Sequence, residues 1–380
     1  MDKKERLARE VGTPIYVYDA SIIKERCGEL KRNLSGINLY YACKANTNIE
    51  VIKLIYRSGF GIETVSPGEI AAARRAEVPI SKITFTCGSI SEKELVSVVR
   101  QGIKVHLDSL HQVEIFGKNF PGKEISVRLN LNIGAGHHSH VITGGPDSKF
   151  GIDISKIKEL KILAKKYSLH ITGLHQHIGS NILSIPIFLQ AMNALLKTAF
   201  HFPDLKYLDF GGGFGVPYKP EEKRLDIKLL GEKIKKEYAN FTKKYGRKLT
   251  ISFEPGRYLV AEAGHLLVEV MEIKNNPTKT FVGVNSGMNH LIRPSMYDSY
   301  HEIENLSAEK KRKKEKVTIA GNMCESGDVF AKNRKVAKPK LGDILSVRNA
   351  GAYGYAMASE YNSRPKPKEF LISGNKIKKV

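Results

Sequence analysis

Residues 206–213, KYLDFGGG, form a short β-rich run that ends in three consecutive glycines. Comparable runs, rich in β-branched and aromatic side chains, recur on both sides of it and are separated by stretches of helical period. The candidate strands are 37–43, 59–65, 82–86, 103–107, 124–130, 170–176, 206–210 and 249–254. The intervening helical pattern is clearest at Leu230, Ile234, Tyr238 and Phe241, and at Ile154, Ile157, Leu160 and Ala164. Because parallel neighbours need crossover connections, eight such units predict an α/β fold, a parallel (β/α)8 TIM-type barrel.

The pattern changes after Pro255. Strand-like runs at 265–273, 280–285 and 343–348 follow without regular helices between them, which predicts a mostly β, sandwich-like domain. The early run 14–18, PIYVY, precedes the barrel and is expected to join that domain. The expected domains are therefore a barrel at 24–264 and a β domain at 1–23 plus 265–380.

The net charge raises the question of nucleic-acid binding. The 380 residues carry a formal net charge of +22, but the lysines are spread along the chain. The one dense run, 309–316, contains acids and no aromatic residues, so a solvated helix or loop is favoured and nucleic-acid binding is the lesser alternative.

The cysteines and the first residues indicate the compartment. Cys27, Cys43, Cys87 and Cys324 show no CxxC spacing, and the charged start MDKKERLARE lacks the apolar core of a signal peptide. No apolar run is long enough to cross a membrane. We therefore expect a cytoplasmic protein with no membrane partner.

Unusual residues stand at the ends of four predicted strands. Lys44 follows the first strand, His177 the sixth and Gly211–Gly213 the seventh, while Glu254 closes the eighth. Active sites of such barrels form at the carboxyl ends of the strands. Each residue alone is a weak signal, but four at four strand ends of one barrel indicate a functional site.

These residue types suit pyridoxal 5'-phosphate (PLP). A lysine amine is needed to carry this cofactor, and Lys44 ends a buried strand. Gly211–Gly213, beside a following helix, offer backbone N–H groups for the phosphate. Glu254 can face the ring nitrogen so that it keeps its proton, and the His177 imidazole can cover the ring face.

Seven motifs carry a family resemblance. They are YYACKAN, HIGS, GGGFG, EPGRYLVAEAG, SGMNHLIRPSMYDSYH, CESGD and AGAYGYAMASEYNSRP, found in this order over nearly the whole chain. Together they resemble the diaminopimelate decarboxylases, PLP enzymes with an alanine-racemase-like barrel followed by a β-sandwich. The resemblance implies decarboxylation of meso-diaminopimelate to L-lysine and CO2.

The resemblance also implies roles for individual residues. Lys44 resembles the Schiff-base lysine and His177 the ring-stacking histidine. The implied phosphate and pyridine contacts are Ser180, Gly213, and the segment Glu254, Pro255, Gly256 and Arg257, with Tyr353 as a phosphate contact that also touches the substrate.

The implied substrate contacts lie mostly in the second domain. Arg257, Arg293 and Tyr297 resemble the clamp on the distal carboxylate, and Glu325 the partner of the distal amino group. Cys324 resembles the proton donor. In this family Cys324 and Glu325 reach the site from the other subunit, so a homodimer with shared active sites is implied.

Some positions depart from the family pattern and leave alternatives open. Glu63 stands where an aspartate is more usual, and Asn285 and Asn322 replace the common aspartate and proline. A decarboxylase acting on ornithine, lysine, arginine or a siderophore or antibiotic intermediate is the main alternative. A racemase on the same barrel is disfavoured by a carboxylate at Glu254, which would keep the pyridine protonated. A catalytically dead homologue is disfavoured by the joint presence of Lys44, Cys324 and Glu325.

His137, His138 and His140 lie in the glycine-rich stretch GAGHHSH. No cysteine or acidic cluster accompanies them, and we expect no metal site there.

Overall fold

The structure, a computed structural model, describes residues 2–136, 144–145 and 147–380. The chain forms two compact units. The barrel unit comprises 24–216 and 223–258, and the β unit comprises 1–23, 217–222 and 259–380.

This division differs from the expected boundaries in two short segments, 217–222 and 259–264, which group with the β unit. For the second segment the reason lies in backbone hydrogen bonds. The Ala261 carbonyl accepts from the Gly351 N–H, and the Ala263 carbonyl accepts from the Asp19 N–H.

The strands are numbered along the described residues. They are β1 (Ile15–Asp19), β2 (Asn38–Ala42), β3 (Gly61–Thr64), β4 (Ile83–Thr86), β5 (Lys104–Leu107), β6 (Glu124–Asn130), β7 (Ala135–Gly136), β8 (Ile152–Asp153), β9 (His170–His175), β10 (Gly179–Ser180), β11 (Tyr207–Asp209), β12 (Thr250–Phe253), β13 (Gly264–Asn275), β14 (Thr280–Val284), β15 (Ile303–Asn305), β16 (Lys314–Ala320), β17 (Val329–Ala337), β18 (Ile344–Val347), β19 (Lys368–Ser373) and β20 (Lys376–Lys379).

The helices are numbered in the same way. They are α1 (Lys3–Val11), α2 (Ala20–Asn33), α3 (Ile49–Arg57), α4 (Pro67–Arg75), α5 (Glu92–Arg100), α6 (Leu110–Asn119), α7 (Ile157–Lys166), α8 (Ile185–Ala199), α9 (Ile227–Tyr245), α10 (Arg257–Val260) and α11 (Arg293–Tyr297). Short 3-10 turns occur at Cys43–Ala45, Ile80–Lys82, Ile154–Lys156, Tyr355–Met357 and Tyr361–Ser363. None of the helices in the described parts of the chain is long and apolar enough to cross a membrane.

The predicted barrel is confirmed. Eight of the strands pair in parallel in the order β2, β3, β4, β5, β6, β9, β11 and β12. Pairing of Ser252 in β12 with Asn38 in β2 closes the ring. All eight runs chosen from the sequence correspond to these strands. Their carboxyl ends therefore meet at one rim, which is the condition for a shared site.

The helical periodicity also held. Helix α9 buries Leu230, Ile234 and Phe241 on one face, and it begins at the Asp226 cap and ends at Gly246 in the left-handed region. The helix that follows the glycine motif is α9, but it begins only at Ile227, after a stretch of irregular backbone.

The β unit is built on one sheet that strand β13 organises. The first half of β13 pairs with β1 on one side and β18 on the other, and its second half pairs with β14. Strand β1 also pairs in parallel with β19, so the N-terminal segment is tied into this unit. Helix α1 packs Leu7 against Ile15, Leu267 and Phe370. The mostly β character predicted for this region is confirmed.

The sequence missed several strands of the β unit. Strands β15, β16, β17, β19 and β20 were not predicted, because they are short or rich in exposed lysine. The basic run 309–316 is a solvated turn only at its beginning, since Lys314 starts β16. Within it, Arg312 pairs with the Asp343 carboxylate at 2.5 Å, so the run is partly structural.

Candidate active site

Lys44 lies just beyond strand β2, in the 3-10 turn Cys43–Ala45, and is half-buried. Two hydrogen bonds brace this turn. The Asn46 N–H donates to the Cys43 carbonyl at 2.9 Å, and the Tyr41 hydroxyl donates to the Asn46 carbonyl at 2.9 Å. The lysine is therefore held on a rigid strand end, as a preorganised functional group requires.

Two buried carboxylates share the electrostatic surroundings of Lys44. Glu254 directly follows β12 and is 5% exposed, and Glu63 lies in β3 and is 1% exposed. Burial raises the pKa of both carboxyl groups, and the positive charge of Lys44 opposes that rise at each. Gly256 permits the chain after Glu254 to pass close to β2, because a Cβ there would lie 3.0 Å from the Ala42 carbonyl oxygen.

His175 holds Glu254 in place. Its Nε2 lies 3.1 Å from Glu254 Oε2, and the imidazole is 1% exposed. Burial is the largest cause that lowers the pKa of His175 to about 3, so the ring is neutral and Nε2–H donates to the carboxylate. Among the described residues Glu254 Oε1 has no hydrogen-bond partner. That buried oxygen is the acceptor that a ring N–H of a bound ligand would satisfy.

His177 has a different hydrogen-bond partner from His175. Its Nδ1 accepts the Gly212 N–H at 3.1 Å, which leaves any proton of the neutral ring on Nε2. Desolvation, and after it the charge of Lys44, lowers the pKa of His177 well below its usual value. A neutral imidazole fixed by backbone suits contact with an aromatic ring face.

The three glycines act mainly through packing. A Cβ on Gly211 would lie 2.3 Å from the Gln176 carbonyl oxygen, and one on Gly212 would lie 2.3 Å from the Glu254 carbonyl oxygen. The Gly211 N–H donates to Asp209 Oδ1 at 2.9 Å. Since the first two N–H groups bond within the protein, the expected anion contact of this motif falls on Gly213, whose φ is +103°.

Ser180 and Arg257, both expected from the resemblance to contact a phosphate, are hydrogen-bonded to each other. Arg257 is 5% exposed, and its Nη2 donates to Ser180 Oγ at 2.9 Å, with Nε at 3.3 Å from the same oxygen. A buried guanidinium beside a hydroxyl at the ends of β10 and β12 is an anion-binding arrangement.

A buried polar network below this rim was missed at the sequence level. Arg128 pairs with Asp108 at 3.3 Å, and the Ser252 hydroxyl donates to Asp209 Oδ2 at 2.6 Å. The His106 ring lies 4.6 Å from that of His175, between ring centroids. The available signal was a charged or polar residue inside a strand that is otherwise apolar, as in VHLD and VRLN.

One group of these residues has the donor atoms for a metal ion. Single ligand atoms of His106, Asp209 and Glu254 lie within 4.8 Å of one another. The positive charges of Lys44, Arg128 and Lys104 already act on Glu254 and oppose the rise in its pKa that burial causes. Because these cations compensate the carboxylate, we assign the group to hydrogen bonding. The stretch with His137, His138 and His140 lies outside the described residues.

The β unit holds the other candidate residues. Arg293 begins α11 and Tyr297 ends it. Arg293 is 1% exposed, and it donates from Nη1 to the Tyr218 hydroxyl at 2.9 Å and from Nη2 to Ser299 Oγ at 3.2 Å. The guanidinium carbon also lies 4.7 Å from the centre of the Tyr218 ring. Tyr218 was not among the predicted residues, although it follows the glycine motif closely.

Cys324 and Glu325 lie in the turn between β16 and β17, and both are exposed. The same turn contacts α11, because the Ser295 hydroxyl donates to the Gly327 carbonyl at 2.8 Å. Tyr353 lies in the turn after β18, half-buried, with a left-handed φ of +57°.

Two of the departures from the family pattern have structural partners. Asn285 accepts the Glu269 N–H at 2.9 Å and donates to the Thr13 carbonyl at 3.0 Å, which ties β13 to the N-terminal segment. The Asn322 N–H donates to the Ser286 carbonyl at 3.0 Å. These asparagines thus serve the sheet of the β unit.

Comparison with known proteins places this geometry in a family. Residues 20–261 match the family described as pyridoxal-dependent decarboxylase, pyridoxal binding domain. The chain is 40% identical to the diaminopimelate decarboxylase of Methanothermobacter thermautotrophicus over 98% of this chain and 89% of that protein. It is 37% identical to that of Aquifex aeolicus, over 99% and 90%.

A solved structure agrees with these relatives. The diaminopimelate decarboxylase of Helicobacter pylori, complexed with L-lysine, superposes with a TM-score of 0.91 at 32% identity and covers 99% of this chain and 95% of that one. The fold and the strand-end site therefore define a barrel decarboxylase that uses PLP. The chain belongs to the pyridoxal-dependent decarboxylases and, among them, to the diaminopimelate decarboxylase family.

The residues present fit this cofactor. The buried Glu254 Oε1 lacks a hydrogen-bond partner among the described residues, as expected of an atom that faces a ring nitrogen. The charge of Lys44 acts on the buried ring of His177 and helps to lower its pKa. Arg257 and Ser180 form an anion-binding pair.

Proposed function

We propose that this chain removes one carboxylate of meso-diaminopimelate as CO2 and forms L-lysine with PLP as cofactor. The observation that carries the proposal is the buried Glu254 carboxylate, with one oxygen held by His175 and the other available, in the same charge cluster as Lys44. Full-length similarity to diaminopimelate decarboxylases supports the choice of substrate.

The barrel unit holds the cofactor. Lys44 would bind it covalently, Glu254 would accept its ring N–H, and His177 would pack against its ring. Ser180, Gly213, Arg257 and Tyr353 would contact the phosphate, and Gly211, Gly212 and Gly256 would shape the backbone around it. PLP, when bound, supplies an electron sink for the pair released with CO2.

The remaining residues distinguish the two ends of the substrate. Arg257, Arg293 and Tyr297 bind the distal carboxylate, since a guanidinium matches a carboxylate with two parallel hydrogen bonds. Glu325 binds the distal ammonium. Cys324 returns a proton to the carbon that has lost CO2.

We further propose that the active form is a cytoplasmic homodimer in which Cys324 and Glu325 serve the partner subunit's site, and that the barrel and β units are its two domains. Mixing inactive Lys44→Ala with inactive Cys324→Ala protein tests the shared site. After subunit exchange, half the dimers are mixed and each holds one intact site, so about a quarter of the wild-type sites return. No recovery after proven exchange would assign Cys324 to its own subunit's site.

The substrate is tested by incubating the holoenzyme with meso-diaminopimelate, lysine, ornithine and arginine. We expect CO2 release from meso-diaminopimelate alone, with L-lysine as product. Faster CO2 release from ornithine, lysine or arginine would show that the proposed substrate is wrong, although the proposed decarboxylation would stand. Racemisation without CO2 would overturn the proposal.

A further inference from the structure

The turn that carries Cys324 and Glu325 is anchored at its base by one buried carboxylate. Asp328 is 4% exposed and accepts the Met323 N–H at 2.7 Å and the Met288 N–H at 2.6 Å. Its own N–H donates to the Glu325 carbonyl at 3.0 Å. A Cβ on Gly321 would lie 2.2 Å from Asp328 Oδ2, so the carboxylate fits only against glycine.

Asp328 fixes the base of the turn, but the tip has different contacts. The Cys324 N–H donates to Asn362 Oδ1 at 3.1 Å, and the Tyr361 hydroxyl donates to Glu325 Oε1 at 2.7 Å. Two successive residues of the segment 361–363 thus hold the backbone of one candidate residue and the side chain of the next.

The segment 361–363 has an unusual backbone conformation. Asn362 has φ +54° and Ser363 has φ +57°, both in the left-handed region that residues other than glycine rarely adopt. Such a conformation persists only where the surroundings enforce it, and it often accompanies a functional site. Asparagine tolerates it best while still offering a side-chain acceptor.

We propose that Tyr361 and Asn362 are positioning residues that orient Glu325 and Cys324 for the substrate. The proposal rests on the roles assigned to Cys324 and Glu325 under the proposed function. Asn362 fixes the direction from which the Cys324 thiol delivers its proton. Tyr361 occupies Oε1 of Glu325 and so orients the carboxylate toward the distal ammonium of the substrate.

The Asn362 role is tested with two matched variants of the holoenzyme. Asn362→Gly keeps the left-handed backbone accessible but removes the acceptor, and Asn362→Asp keeps the acceptor. We expect the glycine variant to lower kcat on meso-diaminopimelate about tenfold, with wild-type behaviour retained in the aspartate variant. In D2O the glycine variant should form lysine with mixed stereochemistry of deuterium at the reacting carbon, because the acid no longer approaches from one face.

The Tyr361 role predicts a different kinetic signature. Tyr361→Phe should raise KM for meso-diaminopimelate about fivefold and leave kcat nearly unchanged, since only the hydroxyl to Glu325 is lost. Tyr167→Phe is the matched control, because the Tyr167 hydroxyl also donates to a glutamate, Glu114, at 3.3 Å, but away from the candidate residues. It should retain wild-type KM.

Three outcomes overturn the proposal. Wild-type kcat and single-face deuteration in Asn362→Gly would refute the positioning role of Asn362. An unchanged KM in Tyr361→Phe would refute that of Tyr361. Wild-type turnover in Cys324→Ala and Glu325→Gln would instead refute the assigned roles of those two residues, and the positioning roles with them.

Discussion

The barrel unit and the β unit treat their buried polar groups in opposite ways. Within the described residues, the barrel interior leaves several buried side-chain atoms without hydrogen-bond partners, among them Glu63 Oε2, Glu254 Oε1 and His106 Nε2. In the β unit, buried Asp328 accepts two N–H groups and buried Asp343 accepts from Asn305, Arg312 and Lys340. Asn289 is the described exception there.

This difference distinguishes buried polar groups that bind a ligand from those that hold a loop in place. An unpaired buried polar atom costs free energy that only a ligand or water can recover, so it marks a site that functions when filled. A saturated one stabilises a loop, as Asp328 does for the turn of Cys324 and Glu325. The barrel unit therefore depends on its cofactor, while the β unit presents the proposed substrate-binding residues on a frame whose described buried polar groups, Asn289 excepted, have hydrogen-bond partners.

The largest effect should come from the barrel. Lys44→Ala should abolish activity and lose the covalent attachment of PLP that borohydride fixes, because no other amine replaces it at the end of β2. Mass spectrometry of the reduced protein checks this, with Lys24→Ala as an exposed-lysine control. A label on another lysine in the wild-type protein would contradict the assignment.

A change in the β unit should affect substrate and spare cofactor. Arg293→Lys keeps the buried charge but loses the planar guanidinium. We therefore expect kcat/KM for meso-diaminopimelate to fall roughly 30-fold, which corresponds to a loss of about 2 kcal/mol in transition-state binding. The absorbance of bound PLP should not change. Arg312→Lys, in the same unit but paired with Asp343, is the control. An Arg293→Lys enzyme with wild-type kinetics would refute the carboxylate clamp.

A pair of isosteric substitutions tests the comparison directly. In protein stripped of cofactor, Glu63→Gln should leave the free energy of unfolding unchanged or higher, because burial already raises the pKa of this unsatisfied carboxyl group. Asp328→Asn should lower it by about 1–3 kcal/mol, since an amide cannot accept both N–H groups. Urea unfolding at neutral pH measures both. Equal losses would show that the two units do not differ in this respect.

The effect that is smallest at neutral pH is that of a buried histidine, and it grows as the pH falls. Burial lowers the pKa of His265, which lies 2.9 Å from Ser346 Oγ, to about 3. A histidine whose pKa is depressed in the folded state makes its full contribution to the free energy of unfolding at pH values above its unfolded-state pKa of about 6.5. That contribution is lost as the pH falls toward 3, because the unfolded state then binds a proton that the folded state does not.

Comparison of wild type with His265→Gln therefore isolates this histidine. The difference in unfolding free energy should decrease below pH 6.5 by up to about 1.4 kcal/mol per pH unit. A slope of opposite sign would mean that His265 is protonated in the folded protein.

Much of the fold could be predicted, and the misses have a common cause. The eight barrel strands are largely buried, so each stands out as a short run rich in β-branched and aromatic side chains. Strands such as β20, KIKK, and β16, KEKVTIA, carry exposed lysines, and only their neighbours in the sheet make them strands. The basic run at 309–316 was misjudged for the same reason.

The sequence by itself determined where Lys44, His177, the glycines and Glu254 would gather, because parallel strands of a closed barrel bring their carboxyl ends to one rim. Only the tertiary structure decided which atoms meet there. The His175–Glu254 bond joins residues 79 positions apart, and the contact of Asn362 with the Cys324 N–H joins residues 38 apart. Such pairs depend on barrel closure and on left-handed turns, and the local pattern of a sequence carries no record of either.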